Sequence, residues 1–302
     1  MKTELESKSV VAEEQVEVEK ILSGNQLKRM WYNYKKSKLA VLGLIIVLLF
    51  IVVAIFAPVL SPYDPIKQDL VNMLKPPNAK NLLGTDEMGR DILSRLIHGA
   101  RISMQVGFTA VGIAFIVGVP LGIFAGYFGG KLDTILMRSL DVLMAFPGIL
   151  LAIVLVSILG PSLQNAVISV GIYAMPNFAR LARGETMALK QNEYIEASRA
   201  VGATDMRIIF SHVFINIISP LIVLSTLSFG NAIITTSGLG FLGMGAQPPT
   251  PEWGAMLSSG RQYLLVAPHV TSIPGLVILV LVLGLNLLGD GLRDVLDPKL
   301  KN

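Results

Sequence analysis

Five stretches of this chain carry no Asp, Glu, Lys or Arg: 39–63, 102–130, 142–179, 208–251 and 262–289. A helix needs about 20 apolar residues to cross the hydrocarbon layer of a bilayer. The first, second and last runs each predict one span, over 39–60, 103–127 and 270–289. The run 142–179 is too long for one helix and contains Gly160-Pro161, a natural turn, so it divides into spans over 134–159 and 162–182. Reaching back to Thr134 sets Arg138 and Asp141 one turn apart at the membrane face. The run 208–251 predicts a span over 216–239, then a Gly/Pro-rich stretch through Pro251. The pattern therefore predicts an all-α polytopic membrane protein with six transmembrane helices over 28–302, behind a tail over 1–27.

The first span can insert unaided. Residues 39–57 include fifteen Leu, Ile, Val or Phe; at about −0.3 to −0.6 kcal/mol each they sum to about −6 kcal/mol. A polar segment of 38 residues precedes it, so it reads as an uncleaved anchor and not a secretory signal. Six spans put both ends on one side, and basic residues choose which. With both termini in the cytosol, inside segments hold eighteen of the twenty-five Lys and Arg, densest at Lys28, Arg29, Lys35, Lys36 and Lys38. The extracytoplasmic loop 61–101 then contains Lys67, Lys75, Lys80, Arg90, Arg95 and Arg101, which run against the rule. Asp64, Asp69, Asp86, Glu87 and Asp91 offset them in charge.

Composition agrees with the pattern. Hydrophobic residues are 52% and charged residues 15%, against roughly 25% charged in a soluble domain. Mean hydropathy is +0.62. Cysteine is absent, which excludes disulfides and thiolate metal sites. The net charge of +4 fits juxtamembrane contacts with anionic lipid headgroups, and no nucleic-acid partner is expected. Six Glu and three Lys in the first twenty residues, with little apolar content, predict a flexible cytosolic tail.

Between the apolar runs, in a loop over 185–212, lies the polar island Glu193-Tyr-Ile-Glu-Ala-Ser-Arg-Ala-Val-Gly202. Tyr194, Ala197 and Val201 fall at i, i+3 and i+7 on one apolar stripe of a short helix. Glu193, Glu196 and Arg199 lie off that stripe. Gly202 suits the left-handed position that ends a helix, and Thr204 can cap another beginning near Asp205. Such a knob on the water side is either a docking element for another protein or an ordinary solvated loop.

Five other segments carry information. In the outer loop, Thr85 or Asp86 can cap a helix whose apolar face is Ile92, Leu93, Leu96 and Ile97, lying on the bilayer or on the helix bundle, or presenting a docking surface. Gly118, Gly122 and Gly126 share one face of span two and predict a close helix crossing, within this chain or with another. Ser225, Ser228, Asn231 and Thr235 line one side of span five, facing either a watery path or a hydrogen-bonded neighbour. After that span, Pro248, Pro249 and Pro251 impose an extended run, and Trp253 suits a membrane interface. Near the end, Asp290, Arg293 and Asp294 are spaced for a small helical ion-pair set.

Glu196-Ala197-Ser198, three residues, then Gly202 resembles the signature loop of ATP-binding-cassette importer permeases, Glu-Ala-Ala, three residues, Gly. Ser198 replaces the second alanine, and Phe214 and Ile215 stand where that family has Leu-Pro, leaving Pro220 to bend the chain. The outer loop, Gly84-Thr-Asp, two residues, Gly89-Arg-Asp, then Ser94-Arg and Gly99-Ala-Arg-Ile-Ser, is similar to the C-type permease of dipeptide and oligopeptide importers, shared with nickel and glutathione importers. The run Gly243 to Leu257 and the ending Gly289 to Pro298 resemble the same group. The resemblance covers about residues 30–300. It implies a type I importer architecture and a coupling helix at Glu193, Tyr194, Glu196, Ala197, Ser198, Val201 and Gly202 inserted into a cytosolic ATPase. It also implies a homologous second permease, two ATPase subunits holding the ATP and Mg, and an extracytoplasmic binding protein docking near Asp86, Arg90, Asp91 and Trp253. The expected setting is the inner or plasma membrane of a prokaryote. Cargo would be di- or oligopeptides, with a nickel chelate or glutathione as alternatives.

No cofactor, metal or catalytic residue is expected on this chain, which has no Gly-rich Lys-Ser/Thr phosphate loop. An intramembrane enzyme would need a metal set or nucleophile pair; His98, His212 and His269 fall in separate segments, and neither His-Glu-x-x-His nor Gly-x-Ser-x-Gly occurs. A stand-alone secondary transporter would show ionisable residues at mid-membrane, and the predicted spans hold none deep inside.

Overall fold

The computed structural model describes residues 31–296 apart from 33. The tail over 1–27, Lys28, Arg29 and the closing Asp297-Pro298 lie outside the described residues. Within them the chain is built from helices, with one isolated bridge between Thr85 and Asp91.

Helix α1 (Lys38–Ile55) is capped by Ser37, whose hydroxyl accepts from the Ala40 N–H. It is apolar on every side and buries only Ala40, Gly43, Val47 and Ala54, leaving Leu39, Ile45 and Leu49 exposed. Such a helix is solvated by lipid. A short α2 (Ala57–Leu60) follows, with proline in its first turn. Next comes α3 (Ile92–Phe128), 37 residues long. At 1.5 Å per residue it extends about 55 Å, beyond the roughly 30 Å hydrocarbon layer.

The outer-loop helix, expected on the bilayer or on the bundle, is the first three turns of α3, continuous with span two and packed on the bundle. No breaker separates the two parts, and Ile92, Leu96 and Ala100 are buried against the protein. Its cap is Asp91, not Thr85 or Asp86: Asp91 Oδ2 accepts from the Ser94 N–H at 2.8 Å and from Ser94 Oγ at 2.7 Å.

In place of one uninterrupted helix over 134–159 stand α4 (Gly130–Met144) and α5 (Gly148–Leu159), bent by 89°. Pro147 supplies the cause, since it lacks an N–H and keeps Phe146 out of the helical region. The Gly160-Pro161 turn forms as read from the sequence, and Ser162 caps α6 (Leu163–Leu189) by accepting from the Asn165 N–H. The polar island folds into α7 (Glu193–Ala200) and α8 (Asp205–Ile208). A single π-helical stretch over Ile209–Val213 joins α8 to α9 (Phe214–Phe241). Last come α10 (Trp253–Gly260) and α11 (His269–Leu296). Among the described residues four helices are long and apolar enough to cross a membrane, or five if the bent α4–α5 pair is one span.

The most extensive packing is α3 on α6. The three spaced glycines make it within this chain. A side chain at Gly118 would lie 2.6 Å from the Met175 carbonyl oxygen, one at Gly126 2.7 Å from that of Arg183, and one at Gly122 would strike the carbonyl of Ala179. Only glycine permits that approach of backbone to backbone. Helix α11 lies against α1 and α9, while α9 also touches α3, α6 and α10. Ion pairs form elsewhere, and none joins Asp290, Arg293 and Asp294 among the described residues. Among the described residues the helical ion-pair set read from the sequence does not form at this end of α11, where Asp290, Arg293 and Asp294 are exposed.

Candidate functional site

The island presents the stripe outward. Val201 is 85% exposed and Tyr194 42%, and Ala197 is open to solvent as well. The residue that anchors α7 is Ile195, fully buried, joined by Ile208 of α8. Sequence reading missed Ile195 because the stripe Tyr194–Ala197–Val201 is equally regular and apolar. Its signal was its position one residue off that stripe. Glu193 and Glu196 stand exposed in the first turn of α7 and Arg199 in its last, the arrangement that suits a helix dipole. Ser198 donates its hydroxyl proton back to the Tyr194 carbonyl at 2.8 Å. Gly202 has φ of 84°, the left-handed conformation that ends α7, and Thr204 caps α8 by accepting from the Arg207 N–H. Two helices meeting at a glycine turn, held by two buried isoleucines, thus hold an apolar face toward solvent.

The residues expected near an outer partner are enclosed by the chain itself. Asp86, Arg90 and Asp91 are all buried. Asp86 Oδ1 accepts from the N–H groups of Met88 and Arg90 at 2.9 Å each, and Oδ2 accepts from Arg90 Nε at 2.7 Å. Arg90 also reaches Glu87 at 2.7 Å, and Arg95 Nε lies 3.3 Å from Asp86. Arg95 Nη1 donates to the carbonyls of Pro65, at 3.0 Å, and Pro249, at 3.3 Å. Burial, with the neighbouring Arg90 charge, lowers the Arg95 pKa to about 10. Burial likewise pushes the Glu87 carboxyl up, and the adjacent Asp86 charge adds to it. This is a knot of compensated charge that ties the 61–91 segment to the head of α3.

Trp253 lies inside the fold as well. It is fully buried instead of standing at a membrane interface. Its indole N–H donates to the Leu96 carbonyl at 3.1 Å, and its ring fills the space that Gly99 leaves open. Glu252, equally enclosed, caps α10 by accepting from the N–H groups of Gly254 and Ala255 at 2.9 and 2.8 Å. The run after α9 is therefore clamped onto α3 by a tryptophan and an arginine.

The polar stripe of α9 faces away from the core. Ser225 bonds back to the Leu221 carbonyl at 2.7 Å. Asn231 is exposed, and Ser228 and Thr235 are partly so; within the described residues none of the three makes a side-chain hydrogen bond to another helix. A cleft of about 490 Å³ opens between α4 and α6, lined by Asp133, Thr134, Met137, Arg138, Asp141, Arg180 and Arg183. Arg183 holds Asp133 with two hydrogen bonds, and Arg180 pairs with Asp141. Asp141 thus meets an arginine of α6 and not Arg138 of its own helix. No cluster of three metal-ligating side chains occurs among the described residues.

Residues 118–302 match the family of binding-protein-dependent transport system inner membrane components. The chain belongs to that family. Residues 25–77 also match the N-terminal transmembrane domain of oligopeptide transport permease C. Among curated relatives, a dipeptide transport system permease protein of Alkalihalophilus pseudofirmus is 50% identical over 89% of this chain and 88% of its own length. A di/tripeptide permease of Pseudomonas aeruginosa is 49% identical over 91% and 93%. A glutathione transport system permease protein of Pectobacterium atrosepticum is 46% identical over 91% and 92%. A chain of the inward-facing MetNI methionine ABC transporter superposes with a TM-score of 0.55 at 23% identity, covering 68% of this chain and 97% of that one. The protein therefore has the type I importer permease fold and is a non-enzymatic membrane permease subunit of an ABC importer. Family membership implies an ATPase and a substrate-binding protein as partners.

Proposed function

We propose that this permease forms half of the translocation path of an importer for di- or oligopeptides, in the inner or plasma membrane of a prokaryote. The observation that carries the cargo reading is its similarity to dipeptide permeases along nearly their whole length. The chain crosses the membrane six times with both termini in the cytosol, α4–α5 and α6 serving as spans three and four. A homologous permease completes the path, and two cytosolic ATPase subunits hold the ATP and Mg. The stripe Tyr194, Ala197 and Val201, flanked by Glu193, Glu196, Ser198 and Gly202, docks into one of those subunits. Its exposure on a helix anchored from behind by Ile195 supports this. ATP closes the ATPase pair, the two docked knobs approach each other, and the spans turn from inward-open to outward-open.

The α9 stripe of Ser225, Ser228, Asn231 and Thr235 lines the path. Hydroxyls and one amide can solvate a zwitterion without gripping any one side chain, so selectivity rests with the binding protein. Glutathione, itself a tripeptide, is the second reading, supported by the glutathione permease relatives.

The test reconstitutes this chain with its second permease, ATPases and binding protein in liposomes and measures ATP hydrolysis and uptake with dialanine. The reading requires hydrolysis stimulated by dialanine-loaded binding protein, with uptake. Hydrolysis and uptake that are the same with and without this chain would contradict it.

A further inference from the structure

Tyr127, in the last turn of α3, is 2% exposed and touches three other elements. Its hydroxyl donates to Asp205 Oδ1, at the start of α8, at 2.7 Å. The guanidinium of Arg199, from α7, lies 5.3 Å from its ring centroid. Lys190, just past α6, donates to the Tyr127 carbonyl at 2.7 Å, with its ammonium 5.6 Å from the ring. The turn at Gly202 is what brings Arg199 and Asp205, on successive helices, to the same ring. Ile195 and Ile208 hold the knob by apolar burial, which has no direction. A hydroxyl–carboxylate hydrogen bond is short, strong and directional.

We propose that Tyr127 is the positioning residue through which a displacement of the α7–α8 knob reaches α3. This rests on the docking role assigned to that knob. From Tyr127 back to Leu96, α3 is one continuous helix of about 46 Å. Its far end carries the Leu96–Trp253 hydrogen bond and the Asp86–Arg95 ion pair. A pull on the tyrosine hydroxyl is therefore passed along α3, past the proline at 120, toward the end on which the distal clamp is built.

The chain has no cysteine, so a single Arg101→Cys on the exposed face of α3 can carry an environment-sensitive fluorophore. In the reconstituted complex, ATP with vanadate should shift its emission. Tyr127→Phe removes only the hydroxyl and should cut the amplitude about tenfold, as expected for losing one hydrogen bond to a charged group. Asp205→Ala, at an exposed position where packing is not at stake, should match it, while Asp205→Asn, which keeps an acceptor, should recover most of the shift. The Tyr127→Phe/Asp205→Ala pair should be no worse than either alone. A full shift in Tyr127→Phe or Asp205→Ala, additive losses, or no shift with the wild-type tyrosine would each overturn the proposal. If Tyr127→Phe does not assemble, the Asp205 pair alone decides. Dialanine uptake in the same liposomes separately reads the cargo assignment, so failure of that reading leaves the fluorescence result standing.

Discussion

The indole of Trp253 donates to the main-chain oxygen of Leu96 across 157 residues of sequence. Its ring sits where a β-carbon on Gly99 would have to be. The run after α9 and the head of α3 are therefore one packed unit. Trp253→Phe keeps most of the ring and loses the hydrogen bond, at about 1 kcal/mol. Gly99→Ala forces the ring aside and should cost about 1–3 kcal/mol. Thermal unfolding in detergent should rank Gly99→Ala below Trp253→Phe and both below wild type; an unchanged midpoint for Gly99→Ala would show that the clamp is loose.

Two glycines of α3 make an internal control. Gly122 faces the Ala179 carbonyl, whereas nothing lies within 4 Å of a side chain placed at Gly112. Gly122→Ala should push α3 off α6 and lower stability by about 2 kcal/mol or more. Gly112→Ala should be neutral or gain up to about 1 kcal/mol. Equal effects at the two positions would mean that the α3–α6 crossing is not tight.

Glu252 makes stability depend on pH. Burial raises its carboxyl pKa above the usual value, opposed by the two N–H groups it accepts from, and no charged group contributes to the shift. The folded protein thus holds this proton more tightly than the unfolded chain. Its contribution is fully present below the ordinary carboxyl pKa and is lost as pH rises through the raised value. Glu252→Gln keeps an acceptor for the cap and should flatten the decline in unfolding temperature as pH rises above the ordinary carboxyl range. Glu252→Ala loses the cap as well and should fall by about 1 kcal/mol. A slope unchanged in Glu252→Gln would assign the pH dependence to another group.

At the knob, Gly202→Pro cannot adopt a φ of 84°, since proline holds φ near −65°. It should leave insertion intact and lower dialanine uptake at least about tenfold by misdirecting α8. Glu196→Lys should also uncouple uptake without blocking insertion, because its side chain is exposed. Membrane fractionation checks insertion and liposome uptake checks coupling; uptake at the wild-type rate in both variants would make the island an ordinary loop.

Local chemistry was legible in the chain. The left-handed glycine at 202, the cap at Thr204, the Gly160-Pro161 turn and the glycine face of α3 each depend on neighbours a few residues away or on a short repeat. The clamp was not legible, because Trp253, Arg95 and Asp86 owe their burial to partners far off in sequence, and an exposed-loop reading of charged residues is the natural one. Pro147 lay in plain view inside an apolar run; hydropathy sums over such a run, so the 89° bend between α4 and α5 left no trace in it. Ile195 was hidden by a better-looking stripe beside it. The distinction between lining and glue for the α9 polar face depended on which helices pack there, a property of the assembled bundle.

The most direct test places one cysteine in this cysteine-free chain, Val201→Cys, in intact cells and then in inside-out vesicles. A membrane-impermeant maleimide should label it only in the vesicles, and a short bifunctional cross-linker should join it to the ATPase subunit. Labelling of Cys-substituted position 201 from outside intact cells would contradict the account.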